Sequence, residues 1–232
     1  MSRPVFLSAR WRHLALFNFE VDPAVLTAYL PAGTELDFFE GRTYVSLVGF
    51  LFQRTSLFGF LPALFHRDFE EVNLRFYVLR RTAAEVRRGV VFIKEAVPRP
   101  LLAWTARALY GENYVATAMG SRIEAGRSCG YTWGPLSMTV ETDGRRLDLA
   151  DDSHERWITE HHWGYTRLSG RETIEYEVKH PIWVLRRVTS HELRGDLAAF
   201  YGAGFAPAFA RAPRSVCLAD GSDVTVHWPS RL

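Results

Sequence analysis

The chain has 232 residues, 47% of them apolar and 14% aromatic, enough to bury one substantial core, so it reads as one domain over 1–232. Twenty-eight basic residues against 26 acidic ones leave a net charge of +2, which gives no electrostatic footprint for nucleic acid. No apolar run is long enough to span a membrane, Arg10 and Arg12 break any signal-peptide pattern, and Cys129 and Cys217 make neither a disulfide framework nor a zinc ribbon, so a reduced, cytoplasmic protein is expected.

Strand signals dominate in chain order. The segment 13–20 is short, apolar and aromatic; Asp22 as N-cap and Pro23 at the first helical position then predict a helix up to Pro31. Strands rich in β-branched and aromatic residues are expected over 42–53, 69–80, 89–97, 113–123 and 130–141. Others are expected over 171–179, 181–189, 214–218 and 223–228, with turn signals at Glu40-Gly41, Asp143-Gly144, Ser169-Gly170 and Asp220-Gly221. Helices are fewer: 100–110, 153–162 opened by a capping box at Asp152 and Glu155, and 196–203. Many strands with regular turns and few helices argue for an antiparallel barrel or sandwich with helices packed outside.

The strand from Asp68 to Leu79 alternates with period two. Val72, Leu74, Phe76 and Val78 share one face, and Glu71, Asn73, Arg75 and Tyr77 the other. Alternation alone reads most simply as a solvated polar face; the functional reading is a polar interior lined by Glu71 and Arg75. The next strand, 89–97, is apolar throughout yet carries Lys94 and Glu95 side by side, pointing to opposite faces. A buried charge must be paired or used. A desolvated Lys94 would be a candidate Schiff-base nucleophile; the plainer reading has it in a salt bridge, snorkelling to solvent. Only Lys94 and Lys179 are lysines, so amine chemistry has few side chains to draw on. His154, His161 and His162 match no metal motif, no nucleophile elbow or phosphate loop occurs, and neither metal nor cofactor is expected. The Phe-rich segment 50–65 reads as core, lid or dimer contact.

The runs "NFEVDP", "YLPAG", "YVSLVGF", "FEEVNLRFYV", "RGVVFIKEAVPR", "ARALYGENY" and "YEVKHPIW" together resemble a bacterial family named domain of unknown function 2071, grouped with the acetoacetate decarboxylase-like superfamily. The resemblance spans nearly the whole chain. It implies a mainly β fold of α+β type, a closed, cone-like antiparallel β-barrel with flanking helices and an interior pocket. Acetoacetate decarboxylases use a Schiff-base lysine in a Pro-Lys-Lys motif. That motif would fall near Arg99 to Leu102, where this chain has no lysine, so Lys94 looks like a strand residue and not the catalytic amine. Arg12 looks like the family's early arginine, and Glu71 is a candidate by location.

The resemblance therefore implies a pocket for a small organic acid or carbonyl compound. Arg12 and Arg75 would hold a carboxylate, Lys94 or Glu71 would act as acid or base, and Asn73, Glu95, Tyr110 and Tyr114 would line the pocket. Two other readings stand beside it: a non-catalytic assembly protein, dimeric or larger, that uses the 50–65 segment, and a Schiff-base lyase that uses Lys94.

Overall fold

The computed structural model describes residues 3–58, 61–62, 68–100, 111–168 and 172–232. β1 (Val5–Val21) leads into α1 (Pro23–Thr27), where Asp22 accepts from the Ala24 amide at 2.8 Å as the sequence predicts. β2 (Glu35–Leu36), β3 (Thr43–Leu57), β4 (Leu61–Pro62), β5 (Phe69–Arg81) and β6 (Val86–Val97) follow. β7 (Tyr114–Ala116), β8 (Met119–Glu124), β9 (Ser128–Trp133) and β10 (Leu136–Arg146) precede α2 (His154–Thr159). β11 (Trp163–Arg167), β12 (Thr173–Lys179) and β13 (Leu185–Arg194) lead to α3 (Leu197–Tyr201) and α4 (Ala206–Phe209), then β14 (Ser215–His227) and β15 (Ser230–Arg231). The fold is mainly β with a few short helices. No helix among the described residues is long and apolar enough to cross a membrane.

Several strands outrun their sequence signals because bulges carry them through apparent breaks. The strand expected over 13–20 is the long β1, which kinks at His13 (φ 56°) and continues. The two strands expected over 214–218 and 223–228 are one, β14. Gly221 (φ +83°) pairs in register opposite Arg12 and is not a hairpin turn, and a Cβ there would lie 2.0 Å from the Trp11 carbonyl oxygen. Asp143-Gly144 likewise lies within β10. Ser153, not Asp152, caps α2, its hydroxyl accepting from the Arg156 amide at 3.3 Å. The helix expected over 100–110 lies outside the described residues save for its first position.

The strands pair in the order β15–β12–β11–β6–β5–β3–β1–β14–β13–β10–β9–β8, and β12 also pairs with β14. The expected antiparallel sheet is corrected at two places: β6 pairs in parallel with both β7 and β11. Parallel partners need a crossover connection, and the long connections after β6 allow one.

The two faces of this sheet are buried against different partners. Val72, Leu74, Phe76 and Val78 of β5 share a core with Phe17, Leu47 and Tyr131, and with Leu197 and Phe205 from the α3–α4 region. The opposite face packs Tyr77 with Leu16, Tyr44, Val48, Phe50 and Trp183, closed over by Trp157 and Ile158 of α2.

Candidate active site

The polar face of β5 is not solvated, which corrects the simplest reading of its alternation. Glu71, Asn73, Arg75 and Tyr77 are 3%, 2%, 9% and 1% exposed. At the Tyr77 end the cover is helix α2, whose Trp157 ring lies 4.6 Å from the Tyr77 ring. Polar side chains enclosed in this way must find partners within the protein or in a ligand.

β6 adds a second carboxyl through a one-residue bulge. Val90 and Phe92 lie opposite Tyr77 and Arg75, so strict alternation would put Lys94 on the same face. The register shifts between Leu74 and Arg75, so that Lys94 falls opposite Leu74 and Glu95 opposite Asn73. The bulge therefore exchanges the two charges. Glu95 enters the polar face, 1% exposed. Lys94 goes to the other face, where its Nζ donates to the Phe200 carbonyl and lies 4.9 Å from the centre of the Phe200 ring.

β7 brings the third side of the cluster. The Glu95 amide donates to the Asn113 carbonyl at 3.0 Å, the Asn113 side chain donates to the Ile93 carbonyl at 3.0 Å, and Tyr114 then lies opposite Glu95. The Tyr114 hydroxyl donates to Glu71 Oε2 at 3.3 Å, and Asn73 Nδ2 donates to Glu71 Oε1 at 2.9 Å. Glu112, 7% exposed, receives hydrogen bonds from the Tyr176 hydroxyl and from Thr166 Oγ1, the latter at 3.3 Å. Tyr176 reaches it across Gly164, where a Cβ would lie 2.1 Å from the Tyr176 ring; only glycine leaves room for that ring.

Three carboxyls buried together cannot all ionise. Burial is the largest cause in each case. It pushes Glu71 up to about 8 and Glu112 up to about 7, and holds Glu95 well above the usual carboxylate range, where the charges of Glu112 and Glu71 add to the effect. Arg75 pulls Glu71 the other way but does not overcome burial. Its Nε has no hydrogen-bond partner among the described residues, nor do Asn73 Oδ1 and Glu95 Oε2.

Beyond Arg75 the same face carries a second polar group. Asp37 is fixed by Arg88 at 2.7 and 3.2 Å and lies 3.0 Å from Nε2 of the buried His161. Desolvation lowers His161 to about 4, whereas its hydrogen bonds from His161 and Arg88 hold Asp37 below the ordinary range despite burial. His161 packs 4.7 Å from the Tyr77 ring, and the Arg75 guanidinium lies 5.9 Å from the same ring.

Of the residues expected at a site, the structure brings together Glu71, Asn73, Arg75, Glu95 and Tyr114. It does not bring Arg12 there: that guanidinium pairs with Asp223 at 3.0 Å near the surface. Lys94 lies on the opposite face, and Tyr110 lies outside the described residues. Glu112, Tyr176, Asp37 and His161 went unassigned in the sequence; the only signal was that Glu112 stands between Tyr110 and Tyr114 in "YGENY". Among the described residues no group of histidine, cysteine and carboxylate side chains is arranged to hold a metal ion. A separate open depression of about 590 Å³ lies by Arg10, Arg54, Lys179, His180 and Asp223.

This architecture is that of a β-rich protein whose fold is similar to that of acetoacetate decarboxylase-like enzymes. A model of the family described as "Uncharacterized conserved protein", domain of unknown function 2071, matches residues 8–223, and the chain belongs to that family. It is 24% identical over 193 residues to "Uncharacterized protein YqjF" of Bacillus subtilis (strain 168), a match covering 76% of this chain and 73% of that protein. Among solved structures it resembles acetoacetate decarboxylase from Legionella pneumophila, with TM-score 0.70, 13% identity, and 100% of this chain and 89% of that one covered. It also resembles the enduracididine biosynthesis enzyme MppR complexed with pyruvate, with TM-score 0.66, 14% identity, and 100% and 91% covered. An acetoacetate decarboxylase-like enzyme from Sphingomonas wittichii RW1 follows, with TM-score 0.64, 14% identity, and 97% and 92% covered. At these identities the likeness is one of fold.

Proposed function

We propose that the Glu71 face lines an interior pocket for a small organic acid or carbonyl compound, with the anionic end of the ligand on Arg75 and its reacting carbon toward Glu71, Glu95 and Glu112. The observation that carries this reading is Arg75, whose guanidinium is buried with an unpartnered Nε beside carboxyls held protonated near neutral pH. An incoming carboxylate supplies the missing acceptor, and a planar guanidinium suits it. A protonated carboxyl donates to an oxygen on which negative charge develops, and Tyr114 shares that task. No amine is required. The pairing circuit β12–β11–β6–β5–β3–β1–β14, which returns to β12, supports a closed barrel around this face. The solved structure of similar fold that holds pyruvate adds support for a small carbonyl ligand.

The test is ligand-induced thermal stabilisation across a panel of small keto and hydroxy acids. The wild type gains Tm with at least one of them, Arg75→Ala abolishes the gain, and Arg12→Ala keeps it because Arg12 serves Asp223. An undiminished gain in Arg75→Ala contradicts the reading.

A second reading, assembly through the 50–65 segment, is favoured by one observation. Phe58 and Trp228 are 45% and 40% exposed and stack with ring centres 6.0 Å apart. Light scattering tests it: a dimer that Phe58→Ser converts to monomer is the expected outcome, and a monomer at all working concentrations rejects it.

A further inference from the structure

We propose that the interior site selects hydroxy acids over the matching keto acids, with His161 Nδ1 taking the hydrogen bond from the ligand hydroxyl. The inference rests on the acid-binding reading above and narrows its substrate class.

The hydrogen bonds of His161 leave one of its ring nitrogens without a partner among the described residues. Asp37 receives two hydrogen bonds from Arg88 and lies 3.0 Å from His161 Nε2. A carboxylate has no proton to give, so Nε2 carries the hydrogen and donates it. Burial keeps the ring neutral, which leaves Nδ1 a bare acceptor. That atom is buried and has no partner among the described residues. Asp37 and Arg88 thus act as positioning residues, fixing which nitrogen faces the ligand.

Of the other unsatisfied atoms near Tyr77, Trp157 Nε1 is a donor that a keto oxygen and a hydroxyl oxygen meet equally, so it does not discriminate. Arg75 Nε is a donor and waits for an anion, whereas Asn73 Oδ1 is an acceptor. Glu95 Oε2 belongs to a carboxyl held protonated; such a group both donates and accepts, and so does not discriminate. Arg75 and His161 both lie by the Tyr77 ring, 5.9 and 4.7 Å from its centre, and the Arg75 charge acts on His161, which puts the two in one neighbourhood. A keto oxygen offers only an acceptor and leaves Nδ1 and Oδ1 unmet. A hydroxyl offers a donor and satisfies one of them. Because a keto oxygen can meet the free donors but not these two acceptors, the site disfavours the analogue without the hydroxyl hydrogen.

The experiment is calorimetric titration with matched pairs: L- and D-lactate against pyruvate, and 3-hydroxybutyrate against acetoacetate. The expected result is at least about tenfold tighter binding of one hydroxy acid than of its keto partner, with the preference reduced to about threefold or less in His161→Phe. Should that variant fail to fold, imidazole ¹⁵N spectra of the wild type decide. The His161 Nδ1 resonance shifts on adding the hydroxy acid and not on adding the keto acid. Keto acids that bind as tightly as their hydroxy partners, or a preference that survives in His161→Phe, overturn this inference alone. If neither class binds the wild type, the acid-binding reading falls and this one with it.

Discussion

Glu71 shows how enclosure changes a residue's chemistry. On an open strand it would ionise freely; here burial outweighs the hydrogen bonds from Asn73 and Tyr114 and raises it to about 8. A group whose folded-state value lies above its ordinary one binds more protons in the folded state. The associated stability is fully present below about pH 4.5 and is lost as pH rises toward 8. Glu71→Gln removes that loss. From about pH 5 to about pH 8 the variant should therefore gain on the wild type, by roughly 1–3 kcal/mol in denaturant unfolding. Parallel pH profiles for the two proteins would show that Glu71 is not held protonated. Much of this cluster was legible in the sequence: period-two alternation put Glu71, Asn73 and Arg75 on one face, and Tyr114 followed from "YGENY". Whether that face meets water or a covered interior was not legible, because the pattern of a single strand does not record what packs against it. His161 and Asp37 were hidden for a related reason, since they lie 124 positions apart and meet only through the fold.

At the level of elements, bulges decide more than composition does. Apolar, β-branched runs located the strands, and Asp22-Pro23 located α1, because these signals are local. The shift in β6 left no comparable mark, yet it turns Glu95 rather than Lys94 toward Arg75. Similarly, Asp220-Gly221 carries a turn signature that β1, running alongside, overrides by pairing on both sides of it. Lys94 accordingly serves the segment around α3, through the Phe200 carbonyl and ring. Lys94→Met should lower stability by about 1 kcal/mol, the worth of one hydrogen bond, and leave ligand-induced stabilisation unchanged. Borohydride reduction with keto acids should then give no adduct on Lys94 in the wild type. A reduced adduct at that position, absent from the variant, would restore the Schiff-base reading.

Across the whole molecule the sheet has two unlike sides. One is an apolar seam under α1, α3 and α4; the other mixes aromatic rings with carboxyls, an arginine and a histidine beneath α2. Such a side is costly for stability alone, since each buried polar atom without a partner forfeits its hydration. Unmet atoms of Asn73, Arg75, Glu95 and His161 are among those on this side, and they are the basis for assigning it a ligand. The most direct test of this account is a pH titration of the glutamate side-chain carboxyls by ¹³C NMR on the intact chain. The account predicts at least two carboxyls that titrate far above the ordinary 4.5, with Glu71 near 8 and Glu112 near 7. Glutamates that all titrate together near 4.5 would mean the cluster is open to water, and would contradict it.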